Sequence, residues 1–151
     1  RINGMTLGAF TGYFRNRQST KNVTHHYSSY KVHVVLGIIY SENDEAIDER
    51  KIYKLEKLDE IISVVKDITF FVQEKWRIAT DRPGSGNTKN IGSISLIEDL
   101  VKGNGIFAEF GEKVFDDYWT NYLTPDMAKK AELAKPYYNN LETYKKFRNL
   151  K

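Results

Sequence analysis

A change of period partway along the chain decides which architectures it can adopt. Up to about residue 79 the apolar residues come in β-branched runs. Residues 31–40 (KVHVVLGIIY) form the longest, suited to a buried strand with Gly37 at a bulge or a point of close approach. Residues 51–55 predict a short strand. Residues 67–72 and 76–79 predict two strands joined tightly through Gln73, Glu74 and Lys75 as a hairpin. Residues 41–50 read as exposed turn or loop, and residues 81–90, with Pro83, Gly84, Gly86 and Asn87, as loop. Further on the spacing is helical. Ser93 or Ser95 predicts the cap of a helix running to Lys102, with Glu98 completing a capping box and Gly103 ending it. Residues 112–123 carry Val114, Phe115, Tyr118, Trp119 and Tyr122 on an i, i+3, i+4 stripe. Residues 127–135 and 141–150 are helix-prone and interrupted by Pro136. Strands first and helices after predict an α/β fold, a mixed β-sheet flanked by helices. At 151 residues the expectation is a single domain over residues 1–151.

The absence of cysteine excludes a disulfide framework, a thiolate metal site and a cysteine nucleophile. The longest apolar stretch is too short to cross a bilayer, so no membrane partner is expected. No secretory leader pattern opens the chain, and a cytoplasmic protein is expected. Charge is unevenly spread. Residues 1–41 carry Arg1, Arg15, Arg17, Lys21 and Lys31 and no acid, a charge of +5; residues 42–123 carry −6 and residues 124–151 carry +4. Two basic ends around an acidic middle suit a polyanion partner.

Residues 82–90 (RPGSGNTKN) hold the densest chemistry. They are not a P-loop, since no Gly-Lys-Ser/Thr closes them, and Lys89 stands where a dinucleotide fingerprint needs its third glycine. Two glycines allow close backbone approach to a ligand. An Asn can bridge adenine N6 and N7 in the major groove, and a Thr methyl can touch a thymine methyl. Composition alone favours an idle surface turn, with base reading as the alternative. Residues 11–22 mix bases, hydroxyls, amides and aromatics, which suits phosphate oxygens or a solvated loop equally. His25, His26 and His33 read as structural or surface histidines. Glu49-Arg50-Lys51 has the E-x-K form of metal-dependent nucleases, but its polar surroundings favour a solvated acidic loop.

Several segments taken together resemble the EcoRV-like family of type II restriction endonucleases. Residues 83–93 (PGSGNTKNIGS) resemble the family's recognition loop, departing at Pro83 and at Lys89. Residues 71–81 (FVQEKWRIATD) resemble the strands that carry it. Residues 103–107, 117–122 and 138–140 recur at matching spacing. Thr6, Leu7, Gly8, Thr11, Thr20, Lys21 and Asn22 match a phosphate-contacting region. Gly12 replaces a serine there, and two residues are inserted around Arg17 and Gln18.

This resemblance implies the C-terminal portion of a restriction-endonuclease-like, PD-(D/E)xK nuclease core. It implies sequence-specific recognition of double-stranded DNA within a homodimeric, Mg²⁺-dependent nuclease that cuts GATATC bluntly. Base reading falls to Gly84, Ser85, Gly86, Asn87 and Thr88. Phosphate binding falls to Thr11, Thr20, Lys21, Lys89 and Asn90, with Lys89 expected to steepen the salt dependence of binding. The family's Asp and Asp-x-Lys groups precede the segment matching Thr6-Leu7-Gly8. No catalytic or metal residue is therefore expected within these 151 residues, and Mg²⁺ is expected on residues outside the chain. The chain is expected to be the C-terminal part of a longer prokaryotic nuclease, inactive alone. The alternative is a catalytically inactive DNA-binding module derived from such a nuclease. A protein-interaction domain would require the loop match to be accidental.

Overall fold

In a computed structural model of the protein, which describes residues 2–21, 23–46, 50–84, 86 and 88–150, the chain opens with β1 (Thr6–Ala9). It runs directly into a single helical turn, α1 (Phe10–Tyr13). Then come β2 (Val34–Glu42), β3 (Val65–Glu74), the one-turn α2 (Lys75–Ile78), β4 (Ala79–Pro83) and β5 (Asn90–Ser93). Four helices complete the order: α3 (Ile97–Lys102), α4 (Glu112–Asn121), α5 (Pro125–Lys130) and α6 (Leu141–Arg148). The chain divides into two compact units, Arg1–Val35 with Gln73–Lys151, and Leu36–Val72. The fold is mixed α/β with small antiparallel sheets and helices, as the change of period predicts.

The larger unit is built on the three-stranded sheet β1-β5-β4, antiparallel at both pairings, with Thr6 opposite Gly92 and Ala79 opposite Ser93. The stripe on α4 does what its spacing requires: Phe115, Tyr118 and Trp119 are buried. Phe10, Ile78, Ile91, Leu100, Phe107, Tyr118 and Trp119 all lose essentially all solvent contact. Each such side chain contributes roughly 1.5–3 kcal/mol by burial. Ring pairs knit the core, among them Phe10 with Trp119 at 5.1 Å and Phe107 with Tyr118 at 5.3 Å.

The smaller unit holds most of β2 and β3, which pair with each other. Gly37 is the close approach expected of it, because a Cβ there would run into the Phe71 ring. Phe71 and Gly37 thus share one face. The residues alternating with them, Leu36, Ile38, Tyr40, Ile68, Phe70 and Val72, are each at least 50% exposed. The strand expected in residues 31–40 therefore forms, but it is not buried. Its second face has no layer over it among the described residues.

Other expectations are corrected. Residues 51–55 form no strand. Leu55–Glu60 is a 3-10 turn held by local bonds such as Lys57 N–H to the Lys54 carbonyl at 2.9 Å, and Leu55 is exposed. The hairpin expected across Gln73, Glu74 and Lys75 is absent. β3 leads into the α2 turn, and β4 then joins a different sheet. Within residues 81–90 only the tip is loop, since β4 runs to Pro83 and β5 begins at Asn90. Neither Ser93 nor Ser95 caps α3. Leu96 occupies that position without a side-chain bond, while Ser93 is buried and its hydroxyl accepts from Met5 N–H at 2.8 Å. Gly103 ends α3 as predicted, at φ 72°. α5 stops at Lys130 rather than continuing to residue 135, and the chain turns there with Glu132 at φ 57°.

Candidate nucleic-acid interface

The hairpin β4–β5 carries the recognition-like residues at its tip. Gly84 N–H donates to the Asn90 carbonyl at 2.7 Å and closes the turn. A Cβ at Gly84 would lie 3.2 Å from Thr6 Oγ1, so β1 crowds that position, whereas one at Gly86 would meet nothing within 4 Å. Gly86 has φ +70°, the left-handed region glycine occupies freely. Thr88 and Lys89 are exposed, and Asn90 is half-buried where β5 begins. Ser85 and Asn87, expected as base readers, lie outside the described residues.

The base of the hairpin is anchored from behind. Tyr118 OH donates to the Asp81 carbonyl at 2.7 Å, and the Asp81 carboxylate accepts from Leu141 N–H at 2.8 Å. Asp81 thereby ties β4 to α4 and to the first residue of α6. This role has no signature in the sequence, because Asp81 sits in a polar run that reads as loop.

The residues expected to bind phosphate approach the same hairpin through α1. Phe10 N–H donates to the Lys89 carbonyl at 3.1 Å, which sets Thr11, half-buried in the next position, beside the tip of β5. Tyr13 OH donates to the Lys21 carbonyl at 2.9 Å, so the exposed segment with Thr20 and Lys21 is tied to the same turn. The structure thus links Thr11, Lys21, Lys89 and Asn90 through α1 and β5. The hydrogen-bonding role of Tyr13 has no signature in the sequence, where it is one aromatic among several.

Behind α1 lies a polar cluster. Lys75 Nζ donates to Tyr27 OH at 3.1 Å, and Arg17 pairs with Asp116 at 3.4 Å. Burial pushes the Lys75 ammonium down to about 8, opposed by the Asp116 carboxylate. His33 stacks on Tyr27 at 4.0 Å; burial, with the cations Lys75 and Arg17, pushes it down to about 4. Burial raises Asp116 and Glu112 above the usual carboxylate range. Arg17, Tyr27, Lys31, His33, Glu112 and Asp116 border a cavity of about 370 Å³. Among the described residues no group of three or more His, Asp or Glu side chains is arranged to hold a metal ion. Of the E-x-K triplet, Glu49 lies outside the described residues, and Lys51 rests over the Tyr53 ring at 4.6 Å. Among the described residues no helix is long and apolar enough to cross a membrane.

The β4–β5 hairpin of this α/β framework presents exposed Gly86, Thr88 and Lys89 beside the turn that carries Thr11. The family model described as restriction endonuclease EcoRV matches residues 1–149, and the chain belongs to that family. It is 38% identical over 141 residues to the type II restriction enzyme EcoRV of Escherichia coli, an alignment covering 93% of this chain and 54% of that enzyme. The chain thus spans about half the length of the curated relative it matches.

Proposed function

We propose that the chain is the C-terminal DNA-recognition portion of a type II restriction endonuclease, a cytoplasmic, homodimeric enzyme that hydrolyses both strands bluntly at GATATC with Mg²⁺. What supports this reading above all is the β4–β5 tip, with Gly86, Thr88 and Lys89 exposed and α1 bonded to its flank. In this reading residues 84–88 enter the major groove. Asn87 bridges adenine N6 and N7, and the Thr88 methyl meets a thymine methyl. Thr11, Thr20, Lys21, Lys89 and Asn90 contact phosphates, fixing position without carrying sequence information. The easily deformed TA step at the centre adds selectivity at base pairs nothing touches. In this reading Mg²⁺ is held by carboxylates outside this chain. The chain alone therefore binds without cutting.

Selection of the 151-residue chain against randomised duplexes, with and without Mg²⁺, is expected to enrich GATATC and leave a cognate plasmid intact. Enrichment of no sequence overturns the reading, and clean blunt cutting overturns the assignment of catalysis elsewhere. Asn87→Ala is expected to lose roughly 1–3 kcal/mol of discrimination at a single base pair. Unchanged discrimination in competition binding removes Asn87 from the readers.

A further inference from the structure

Tyr13 is held on three sides. Its buried ring stacks on Tyr27 at 4.6 Å with 9° between the planes. On another side lies the bare backbone of Gly8, where a Cβ would come within 2.9 Å of the Tyr13 ring. Lys75 Nζ sits 5.5 Å from the Tyr13 ring centre and 5.0 Å from that of Tyr27, a cation resting on two aromatic faces. The ring has little room to rotate, so the direction of its hydroxyl is set by the core of the larger unit. That hydroxyl reaches across eight residues to the Lys21 carbonyl.

The segment it reaches, with Thr20 and Lys21, is exposed. The neighbouring ties are weaker anchors. Lys21 N–H to Ser19 Oγ at 3.3 Å and Val23 N–H to the Thr20 carbonyl at 3.2 Å are local, and His26 Nδ1 meets the Gln18 carbonyl at 2.6 Å on the exposed side. The bond from Tyr13 alone joins the Lys21 backbone to a buried side chain among the hydrogen bonds described. Without it, an exposed lysine on a freer backbone would be ordered only on binding, at an entropic cost to affinity.

We propose that the Tyr13 hydroxyl is a positioning group for the DNA backbone contacts, fixing Thr20 and Lys21 relative to α1 so that they meet phosphates as one set with Thr11, Lys89 and Asn90. The proposal rests on the DNA-reading function above and adds to it a residue that touches no DNA.

Tyr13→Phe removes the hydroxyl and keeps the ring, so the stack with Tyr27 and the fold persist. Without DNA, amide hydrogen exchange at residues 19–21 and 23 is expected to quicken while the melting temperature stays near the parent's. With DNA, affinity is expected to fall about three- to tenfold for every sequence alike, the scale of one lost hydrogen bond. The slope of affinity against salt is expected to move toward that of Lys21→Ala. In the double variant Tyr13→Phe/Lys21→Ala, the loss is expected to fall short of the sum of the two single losses, because only the positioning of Thr20 is left to lose. Unchanged exchange overturns the positioning role whatever the DNA arm shows. Additive losses overturn it too, because Tyr13 would then act elsewhere than through Lys21. If exchange quickens but Lys21→Ala binds like the parent, Lys21 is no phosphate contact, and the phosphate assignment fails together with the proposal.

Discussion

Gly92 sits at the centre of the β1-β5-β4 sheet, and its missing side chain is structural. A Cβ there would lie 2.9 Å from Thr80 Cγ2 and 3.0 Å from the Arg82 carbonyl oxygen, inside the distances atoms tolerate. Gly92→Ala must push β4 outward, and a loss of about 1–3 kcal/mol is expected, the usual cost of overfilling a packed site. Urea midpoints against the parent check it; an unchanged midpoint means that the hairpin yields freely. Gly84 shows why such positions mislead when read from sequence. From sequence its freedom suits close approach by a ligand, yet β1 already approaches it through Thr6. Glycine spared for a partner and glycine spared for the protein's own backbone leave the same letter. Gly86, like Gly111, stands in open space at positive φ, and its need is purely conformational.

At the scale of elements, α6 begins with a complete capping box. Asn140 Oδ1 accepts from Thr143 N–H at 2.9 Å, and Thr143 Oγ1 accepts from Asn140 N–H at 3.3 Å. Removing the cap by Asn140→Ala is expected to cost about 1 kcal/mol, read as a lower melting temperature. Because Leu141 N–H also donates to Asp81, the loosening is expected to reach β4, visible as faster amide exchange there. α4 was legible because ten residues of one period leave little choice of face. β4 and β5 were not legible. They have five and four residues, broken by Asp81, Arg82 and Gly92, and only pairing with β1 and β4 makes the second one a strand. The α2 turn was missed for a related reason: four residues are too few to display a helical period, so residues 76–79 read as the second strand of a hairpin.

Across the whole molecule, acid sensitivity follows from His33. Its folded value near 4 lies below its ordinary 6.5, so the unfolded chain takes up the proton first. Stability contributed by neutral His33 is complete above pH 6.5 and is lost as pH falls through 4. Asp116 and Glu112, both raised, accept protons more readily when folded and act in the opposite direction over the acid range. Relative to the parent, His33→Gln is expected to lose less stability between pH 6.5 and 4, measured by urea midpoints across that range; parallel curves would remove His33 from the account. The candidate interface was legible from its loop, where nine consecutive residues bear the chemistry, but the bonds that gather it were not. Tyr13 to Lys21, Phe10 to Lys89 and Tyr118 to Asp81 join residues whose proximity only the folded chain creates. The uncovered side of β2 and β3 bears on handling at the bench. Leu36, Ile38, Tyr40, Ile68, Phe70 and Val72 offer water a greasy pleat that salting-out ions drive toward self-association. Folded preparations are expected to light up an apolar reporter dye and to cloud early in ammonium sulfate, and Leu36→Thr with Phe70→Thr should dim the first and delay the second.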